Sequence, residues 1–248
     1  MLLAYSGGAD SSFLLKVALD SLTDKVLAVT AASETYPEEE LVSARILARK
    51  LGARHTVIKT EELNNRKFRN NPVERCYHCK KELFTKLKNI AALRGINFVI
   101  DAGNISDKKD FRPGDKAKKE LGIRSPLSEA GFTKEDVRFM SKRLGLQTWN
   151  KPSLACLASR IPYGSPISTK ALSCISKAER FLRTLGFDPV RVRHYNGLCR
   201  IEVMPADIKF LLSKNKEIVD NFKKLGYNYV TVDLEGFRSG SMNEPLGL

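Results

Sequence analysis

Short apolar runs alternate with helical patterns over the first 100 residues. The apolar runs predict strands at residues 2–5, 26–30, 57–58 and 98–100. The segments between them repeat their apolar positions every three or four residues, which is typical of helices with one buried face. Strands and helices alternating at this spacing predict a mostly parallel sheet covered by helices on both faces. The ligand crevice of such a sheet lies at the carboxyl ends of its strands.

The pattern changes in the second half of the chain. Residues 102–128 are polar, rich in Lys and interrupted by Gly and Pro, so we expect a loop there that serves the site and adds little to the core. A helix is predicted at about 133–144. Beyond Ser168 the predicted order is helix, strand, strand, helix, strand, with strands near 190–194, 200–203 and 229–232. This order predicts a small α+β unit at residues 164–248, after a larger α/β domain at residues 1–163.

Composition narrows the class of protein. The chain has 248 residues, of which 42% are hydrophobic and 28% charged, and this excludes a disordered or fibrous protein. No apolar run approaches the roughly 18 to 20 residues of a membrane span, and the start of the sequence does not resemble a signal peptide. Five cysteines at uneven spacing do not form a secreted disulfide framework. We therefore expect a cytoplasmic protein without a membrane partner.

The chain carries a large positive charge. Lys and Arg number 42 against 28 Asp and Glu, which gives a formal net charge of +14. Such a surplus favours anionic partners, either nucleic acid, a nucleotide or another polyanion.

The sharpest local signal is the string Ser-Gly-Gly-Ala-Asp-Ser-Ser at residues 6–12, called the phosphate loop below. It follows the first strand and leads into a helix, so its backbone N–H groups are available to phosphate oxygens. The candidate ATP-binding residues in it are Ser6, Gly7, Gly8, Asp10, Ser11 and Ser12, of which Asp10 is also a candidate Mg²⁺ ligand. The Walker A and dinucleotide-binding patterns are both absent. The alternative is an ordinary strand-to-helix turn capped by Ser or Asp.

The phosphate loop resembles that of the PP-loop ATP pyrophosphatase superfamily, whose members cleave ATP between the α- and β-phosphates to adenylate a substrate. The resemblance implies a Rossmann-like parallel sheet of the adenine nucleotide alpha hydrolase-like type. It also implies that Ala31 and Ser33 contact the adenine, and that Gly103 and Asp107 lie near the reacting phosphate. Arg112, in a rigid Arg-Pro-Gly turn, is a further candidate because a guanidinium binds phosphate through two hydrogen bonds. The alternative for this Lys/Arg-rich region is a solvated face.

Several longer strings resemble the LarE-type sulfur transferases, which act in the biosynthesis of the nickel-pincer nucleotide cofactor of lactate racemase. They are RCYHCKK at 75–81, DFRPG at 110–114, RSPLSEAG at 124–131, KPSLACLASRIPYG at 151–164 and DLEGFRSGSMN at 233–243. The resemblance implies a small mononucleotide substrate, pyridinium-3,5-biscarboxylic acid mononucleotide, and a homo-oligomer, either a trimer or a hexamer. Two alternatives stay open: an enzyme that thiolates tRNA, and an ATP-binding sensor without turnover.

The cysteines bear on the source of sulfur. Cys76 and Cys79 form a C-x-x-C pair and Cys156 is distant from it, a set that suits a [4Fe–4S] cluster with one open iron, although zinc or a redox dithiol is possible for the pair alone. The resemblance implies another role, in which Cys156 gives up its own sulfur. Arg160 is then a candidate for lowering the pKa of the Cys156 thiol.

The remaining cysteines and two arginines of the second unit complete the candidate set. Cys174 and Cys199 are expected to be small buried hydrophobic residues. Arg191 and Arg193 alternate along a strand and so lie on one side of it, where they are candidates for binding the phosphate of the substrate. The alternative is an ion-pair ladder with Glu202.

Overall fold

A computed structural model describes residues 1–109, 112–152, 155–238 and 240–247. The chain divides into two compact units. The first comprises Met1–Phe68 and Pro72–Leu154, and the second comprises Arg69–Asn71 and Ala155–Leu248. The sequence predicts the division at residue 163 instead. The segment after Leu154 belongs with the second unit because the buried Arg160 forms an ion pair with Glu179 there.

The first unit is an α/β structure built on a parallel sheet. Its strands are β1 (Leu2–Ala4), β2 (Leu27–Ala32), β3 (Arg54–Lys59) and β4 (Val99–Ile100). Its helices are α1 (Ala9–Leu22), α2 (Glu38–Lys50), α3 (Arg66–Arg69, which ends in the second unit), α4 (Arg75–Leu93), α5 (Gly114–Glu120), α6 (Pro126–Glu129) and α7 (Lys134–Arg143). The strand order is β3-β2-β1-β4, and every neighbouring pair is parallel. The predicted fold class is confirmed.

Helices cover both faces of this sheet because successive residues of each buried strand point to opposite sides. Leu3 packs in one core cluster with Phe13 of α1. Leu2 packs in another with Phe84 and Leu87 of α4. Strands β1, β2 and β4 are therefore buried on both faces, as the continuous apolar runs in the sequence predict.

The prediction of a loop at residues 102–128 is wrong in part, because α5 and α6 form within it. Ala117 of α5 is buried, and Leu127 of α6 belongs to the core. Gly114 explains how α5 packs closely on α4, since a Cβ at Gly114 would lie 2.9 Å from Cγ of Lys80. Composition gave no sign of this contact, because the segment is dominated by charged residues and has few apolar ones.

The second unit is a small α+β structure. Its elements are α8 (Thr169–Thr184), β5 (Val190–Tyr195), β6 (Leu198–Val203), α9 (Ile208–Ser213), α10 (Asn215–Lys224) and β7 (Tyr229–Val232). The sheet order is β5-β6-β7, with β5 antiparallel and β7 parallel to β6. The predicted order of elements is confirmed, and the predicted last helix is two helices, α9 and α10.

Of the two cysteines that the sequence predicts to be buried, Cys199 is buried and Cys174 is only partly buried. Cys199 is fully buried in β6, and Cys174 packs against the same cluster from α8. Burial raises the pKa of the Cys199 thiol to about 12, so it stays protonated. Both cysteines therefore act as small hydrophobic residues. None of the helices in the described part of the chain has the length and apolar character that crossing a membrane requires.

Candidate active site

The order of the strands locates a crevice in the first unit. From β1 the chain adds β2 and β3 on one side, and then returns to place β4 on the other side of β1. The carboxyl ends of β1 and β4 therefore lie at the point where the strand order reverses, which is where parallel α/β sheets bind ligands. The phosphate loop follows β1 at this edge, and residues 101–107 follow β4.

The phosphate loop is held in a tight turn against α2. Gly7 has a φ of +74°, and a Cβ placed on it would lie only 2.8 Å from Cβ of Ala44. No residue other than Gly fits this close approach. Ser6 and Ser11 are joined by hydrogen bonds across the loop. Their hydroxyl oxygens are 3.1 Å apart, and the backbone N–H of Ser6 donates to Oγ of Ser11.

Asp10 is joined to the loop after β4 by a chain of hydrogen bonds. Nδ2 of Asn104 donates to Oδ1 of Asp10 at 3.2 Å. The backbone N–H of Asn104 in turn donates to Asp107 at 3.2 Å, and the guanidinium of Arg112 lies 2.7 Å from that carboxylate. The predicted residues Asp10, Asp107 and Arg112 are thus brought together through Asn104, a residue that sequence reasoning did not assign to the site.

The carboxyl of Asp10 lies in an environment that favours its protonated form. Burial raises its pKa, and the neighbouring carboxylate of Asp107 raises it further, while Lys134 and the amide of Asn104 lower it. A nearby cation would relieve both the burial and the repulsion. Oδ1 of Asn104 is buried and has no hydrogen-bond partner among the described residues.

Lys118 lies beside Asp101 and Gly103, in the segment that follows β4. Nζ of Lys118 lies 3.2 Å from the carboxylate of Asp101 and 2.8 Å from that of Asp115. Burial lowers the pKa of Lys118, but the two carboxylates outweigh it and raise the pKa overall. A Cβ at Gly103 would lie 3.0 Å from this ammonium, so the backbone there passes close beside a buried cation. No local pattern distinguishes Lys118 from its neighbouring lysines.

The turn after β2, where adenine is expected to bind, is held by hydrogen bonds to a buried carboxylate. The hydroxyl groups of Ser33 and Thr35 both donate to Oε1 of Glu62, at 2.7 and 2.8 Å. Glu62 is only 3% exposed. Ala31 pairs with Ile58 of β3, so its backbone lies in the sheet immediately before this turn. Glu62 therefore fixes the turn that carries Ser33, a role that only the folded chain reveals.

Lys151 contacts the phosphate loop from a distant part of the sequence. Its Nζ donates to the carbonyl oxygen of Gly7 at 3.2 Å and to Oε2 of Glu40 at 2.7 Å. Sequence reasoning quoted this lysine within a motif and gave it no role. Ser153 and Leu154 of the same motif, Asp110 and Phe111 of DFRPG, and Ser239 of the closing motif lie outside the described residues.

Cys76 and Cys79 lie three positions apart in the first turns of α4, on one face of the helix. Both side chains are partly buried. In the described part of the chain, no group of three or more His, Cys, Asp or Glu side chains is arranged to hold a metal ion.

Cys156 belongs to the second unit, where Arg160 holds its backbone. The guanidinium of Arg160 donates to the carbonyl oxygens of Ala155 at 2.7 Å and Cys156 at 3.0 Å. The opposite side of the same guanidinium pairs with Glu179, with contacts of 2.8 and 3.1 Å. These contacts give Arg160 a role in fixing the Cys156 backbone.

The two arginines predicted to bind a substrate phosphate lie on β5. Arg193 pairs with Glu202 through two nitrogens, at 2.8 and 2.6 Å, and donates to the hydroxyl of Ser241. These contacts favour the ion-pair alternative for Arg193. Arg191 is buried beside the ring of Phe237, and burial lowers its pKa to about 10.

The comparison with known proteins decides the family. A pyridinium-3,5-bisthiocarboxylic acid mononucleotide synthase of Lactiplantibacillus plantarum is 43% identical to this chain over 244 residues, covering 98% of the chain and 88% of the relative. The chain belongs to the LarE-type family of this synthase. An uncharacterised protein of Synechocystis is 44% identical to the LarE-type chain over 247 residues, 99% of the chain and 92% of the relative. A second, of Methanocaldococcus jannaschii, is 33% identical over 239 residues, 96% of the chain and 91% of the relative. No protein-family model matches the chain.

The site residues predicted for this LarE-type chain fall into three groups. The phosphate loop, Gly103, Asp107 and Arg112 meet at the switch point of the sheet, with Ser33 at the end of the neighbouring β2. Cys76 and Cys79 share one helix face. Cys156, Arg160, Arg191 and Arg193 belong to the second unit. The catalytic and binding roles given to these residues stay predictions.

Proposed function

We propose that this chain uses ATP to convert a carboxylate of pyridinium-3,5-biscarboxylic acid mononucleotide into a thiocarboxylate. The single observation that carries the proposal is the near full-length identity of 43% to a synthase named for the bisthiocarboxylic acid mononucleotide. That name describes a small mononucleotide, and this supports the small-molecule substrate over tRNA.

The first half-reaction is adenylation. A carboxylate oxygen of the substrate attacks the α-phosphorus of ATP, the bond from that phosphorus to the bridging oxygen breaks, and pyrophosphate leaves. The loop geometry around Gly7 supports this assignment, because backbone N–H groups at the start of α1 stabilise charge on the departing pyrophosphate. Ser6, Ser11 and Ser12 add hydroxyl donors.

Asp10 has the donor chemistry that Mg²⁺ requires. Its carboxylate, that of Asp107 and the partnerless amide oxygen of Asn104 are hard oxygen ligands, the type that Mg²⁺ prefers. Bound there with ATP, the ion would neutralise charge on the phosphates. The raised pKa of Asp10 supports this, because a cation would offset the burial and repulsion that cause it.

The second half-reaction delivers sulfur and releases AMP. In one route, Cys76, Cys79 and Cys156 would together hold a [4Fe–4S] cluster, and the cluster would supply the transferable sulfur. In the other, the Cys156 thiolate attacks the acyl-adenylate carbonyl and expels AMP, and cleavage of its own Cβ–S bond leaves the thiocarboxylate and dehydroalanine. The pair of thiols on one face of α4 favours the cluster route, because a purely sacrificial enzyme has no use for it.

The remaining assignments follow from the same function. We propose a cytoplasmic enzyme that assembles as a trimer or hexamer through the second unit. Arg191 and Arg193 stay the candidates for contact with the substrate phosphate, and Arg193 also donates to Glu202 and Ser241.

Substitution of Asp10 tests the nucleotide half of the proposal. We expect Asp10→Ala to abolish pyrophosphate release from ATP and substrate, measured by a coupled pyrophosphate assay. Asp20→Ala, in the same helix but in an exposed ion pair with Lys16, serves as the control and should keep the wild-type rate. Normal release from the Asp10 variant would refute the assignment of the phosphate loop.

Anaerobic purification separates the two sulfur routes. Iron and sulfide analysis, a visible spectrum and the intact mass after turnover are measured on the same preparation. The cluster route predicts bound iron and an unchanged protein mass after turnover. An iron-free protein that loses the mass of H₂S during turnover would assign the sulfur to Cys156 instead.

A further inference from the structure

The phosphate loop contains no lysine or arginine, so a side-chain cation that contacts a bound triphosphate must come from elsewhere in the chain. Lys151 is a cation that reaches this loop. Its Nζ lies 3.2 Å from the carbonyl oxygen of Gly7, the glycine whose tight turn shapes the loop. The side chain is 20% exposed, so it is largely sheltered yet open on one side.

The ammonium of Lys151 has capacity for another acceptor. A lysine carries three N–H donors, and the described contacts use two of them, one to Gly7 and one to Glu40. Glu40 lies in α2 at 2.7 Å from Nζ and offsets the charge of the lysine in the absence of nucleotide. A triphosphate carries more negative charge than one carboxylate, so phosphate oxygens at the loop would compete with Glu40 for the ammonium.

We propose that Lys151 is a catalytic residue that binds phosphate oxygens of ATP on the phosphate loop and stabilises pyrophosphate as it leaves. The inference rests on the proposed adenylation. As the substrate carboxylate bonds to the α-phosphorus, the electron pair of the broken bond passes to the bridging oxygen of pyrophosphate. Lys151 keeps its proton and meets this growing charge. The interaction is stronger in the transition state than in the ground state, which is the condition for raising kcat.

The competing explanation is that Lys151 only ties α2 to the phosphate loop. A strut of that kind needs both of its partners, whereas a phosphate ligand does not need Glu40. Substitution of Glu40 therefore distinguishes the two roles. Lys151→Gln removes the charge and retains an N–H donor on a slightly shorter side chain, so it disturbs the loop less than Lys151→Met, which removes the donor as well.

The experiment measures kcat and KM for pyrophosphate release, together with the melting temperature of each variant. We expect Lys151→Gln and Lys151→Met to lower kcat by about 10² to 10³-fold, the usual effect of removing one group that stabilises transition-state charge. KM for ATP should change much less. Lys151→Arg should recover part of kcat, and Glu40→Gln should stay within a few-fold of wild type. Lys16→Met, an exposed lysine of α1, is the matched control and should have no effect.

Three results would overturn the inference, and they differ from failure of the proposed function. Wild-type kcat in both Lys151→Gln and Lys151→Met, with Asp10→Ala inactive, removes Lys151 from the reaction and leaves adenylation intact. Equal losses of kcat in Glu40→Gln and Lys151→Gln, accompanied by equal losses of melting temperature, assign a strut. A wild-type protein that releases no pyrophosphate at all refutes the proposed function, and the inference with it.

Discussion

The ion pair between Arg160 and Glu179 puts two charges into the interior of the second unit. Arg160 is 1% exposed and Glu179 is fully buried. Glu179 also accepts from the guanidinium of Arg183 at 2.9 Å and from the backbone N–H of Val192 at 3.1 Å. Burial raises the pKa of Glu179, but the guanidinium of Arg160 outweighs it and the pKa of the carboxyl is lowered. Desolvation is offset here only because every partner is in place.

Removing the charge of Glu179 should therefore be costly. We expect Glu179→Gln to destabilise the protein by about 3 to 5 kcal/mol, because it leaves the buried guanidinium of Arg160 without its counter-charge. Glu244→Gln, which breaks an exposed pair with Arg238, should leave stability unchanged. Urea denaturation of the two variants measures the difference. Equal midpoints would show that the buried pair contributes nothing.

Among the elements, the segment from β1 through the phosphate loop to α1 depends most on a backbone conformation. Gly7 and Gly52 have similar left-handed φ values, +74° and +69°. They differ in surroundings, because a Cβ at Gly7 would collide with Ala44, while one at Gly52 would meet nothing within 4 Å. Comparing alanine substitutions at Gly7 and Gly52 therefore separates the free-energy cost of a left-handed backbone from the cost of a steric clash.

Alanine at these two glycines should have unequal effects. Gly52→Ala carries conformational strain alone, about 1 kcal/mol, whereas Gly7→Ala adds a clash with α2 and should cost about 3 kcal/mol or more. We also expect Gly7→Ala to lose nucleotide binding, since the loop must move to admit the methyl group. Thermal unfolding and titration with ATP check both expectations, and similar melting temperatures for the two variants would contradict them.

The sequence predicts elements better than it predicts their partners. Apolar runs such as that at β1 and helical periodicity such as that of α7 are local properties, so these elements are recognised from short stretches of chain. Helix α5 was missed because its burial depends on a contact between Gly114 and α4, which is not a local property.

The same division applies to the candidate site. The phosphate loop is one contiguous string, so it can be recognised from the sequence. Asn104, Glu62 and Lys151 make their contacts with the site only in the folded chain. Asn104 lies 94 residues from its partner Asp10, and Lys151 lies 144 residues from Gly7. No spacing rule connects positions so far apart. Polar residues of this kind resemble ordinary surface residues until the fold brings them together.

At the scale of the whole molecule, the pKa values of all three histidines are shifted in the same direction. Burial lowers the pKa of His55, His78 and His194, and the charge of Arg45 adds to the effect at His55. The hydroxyl of Thr30 donates to the carbonyl of Tyr5 and so must accept from Nε2 of His55, at a distance of 2.8 Å. The folded protein thus binds protons at these sites less readily than the unfolded chain does.

Stability should accordingly fall as the solution is made acidic. Because the folded pKa values lie below the unfolded value of about 6.5, stability is at its full level above that pH and declines as pH falls through it. We expect melting temperature to be constant between pH 7.5 and 8.5 and to decrease from about pH 6.5 downwards. His55→Gln should reduce the slope. A melting temperature that rises on acidification would contradict the expectation.

Residues 69–71 are synthesised early in the chain but belong to the second unit, which is formed mainly by later residues. Nδ2 of Asn71 donates to the carbonyl oxygens of Ile161 and Pro162, and its own carbonyl accepts from Gly164. The backbone carbonyl of Arg69 accepts from the N–H of Ile167. These residues leave the ribosome long before the segment they bind, so the second unit cannot be completed from its own contiguous stretch. A gene fusion or domain exchange cut at residue 155 would separate the second unit from residues 69–71 and from the hydrogen bonds that they make.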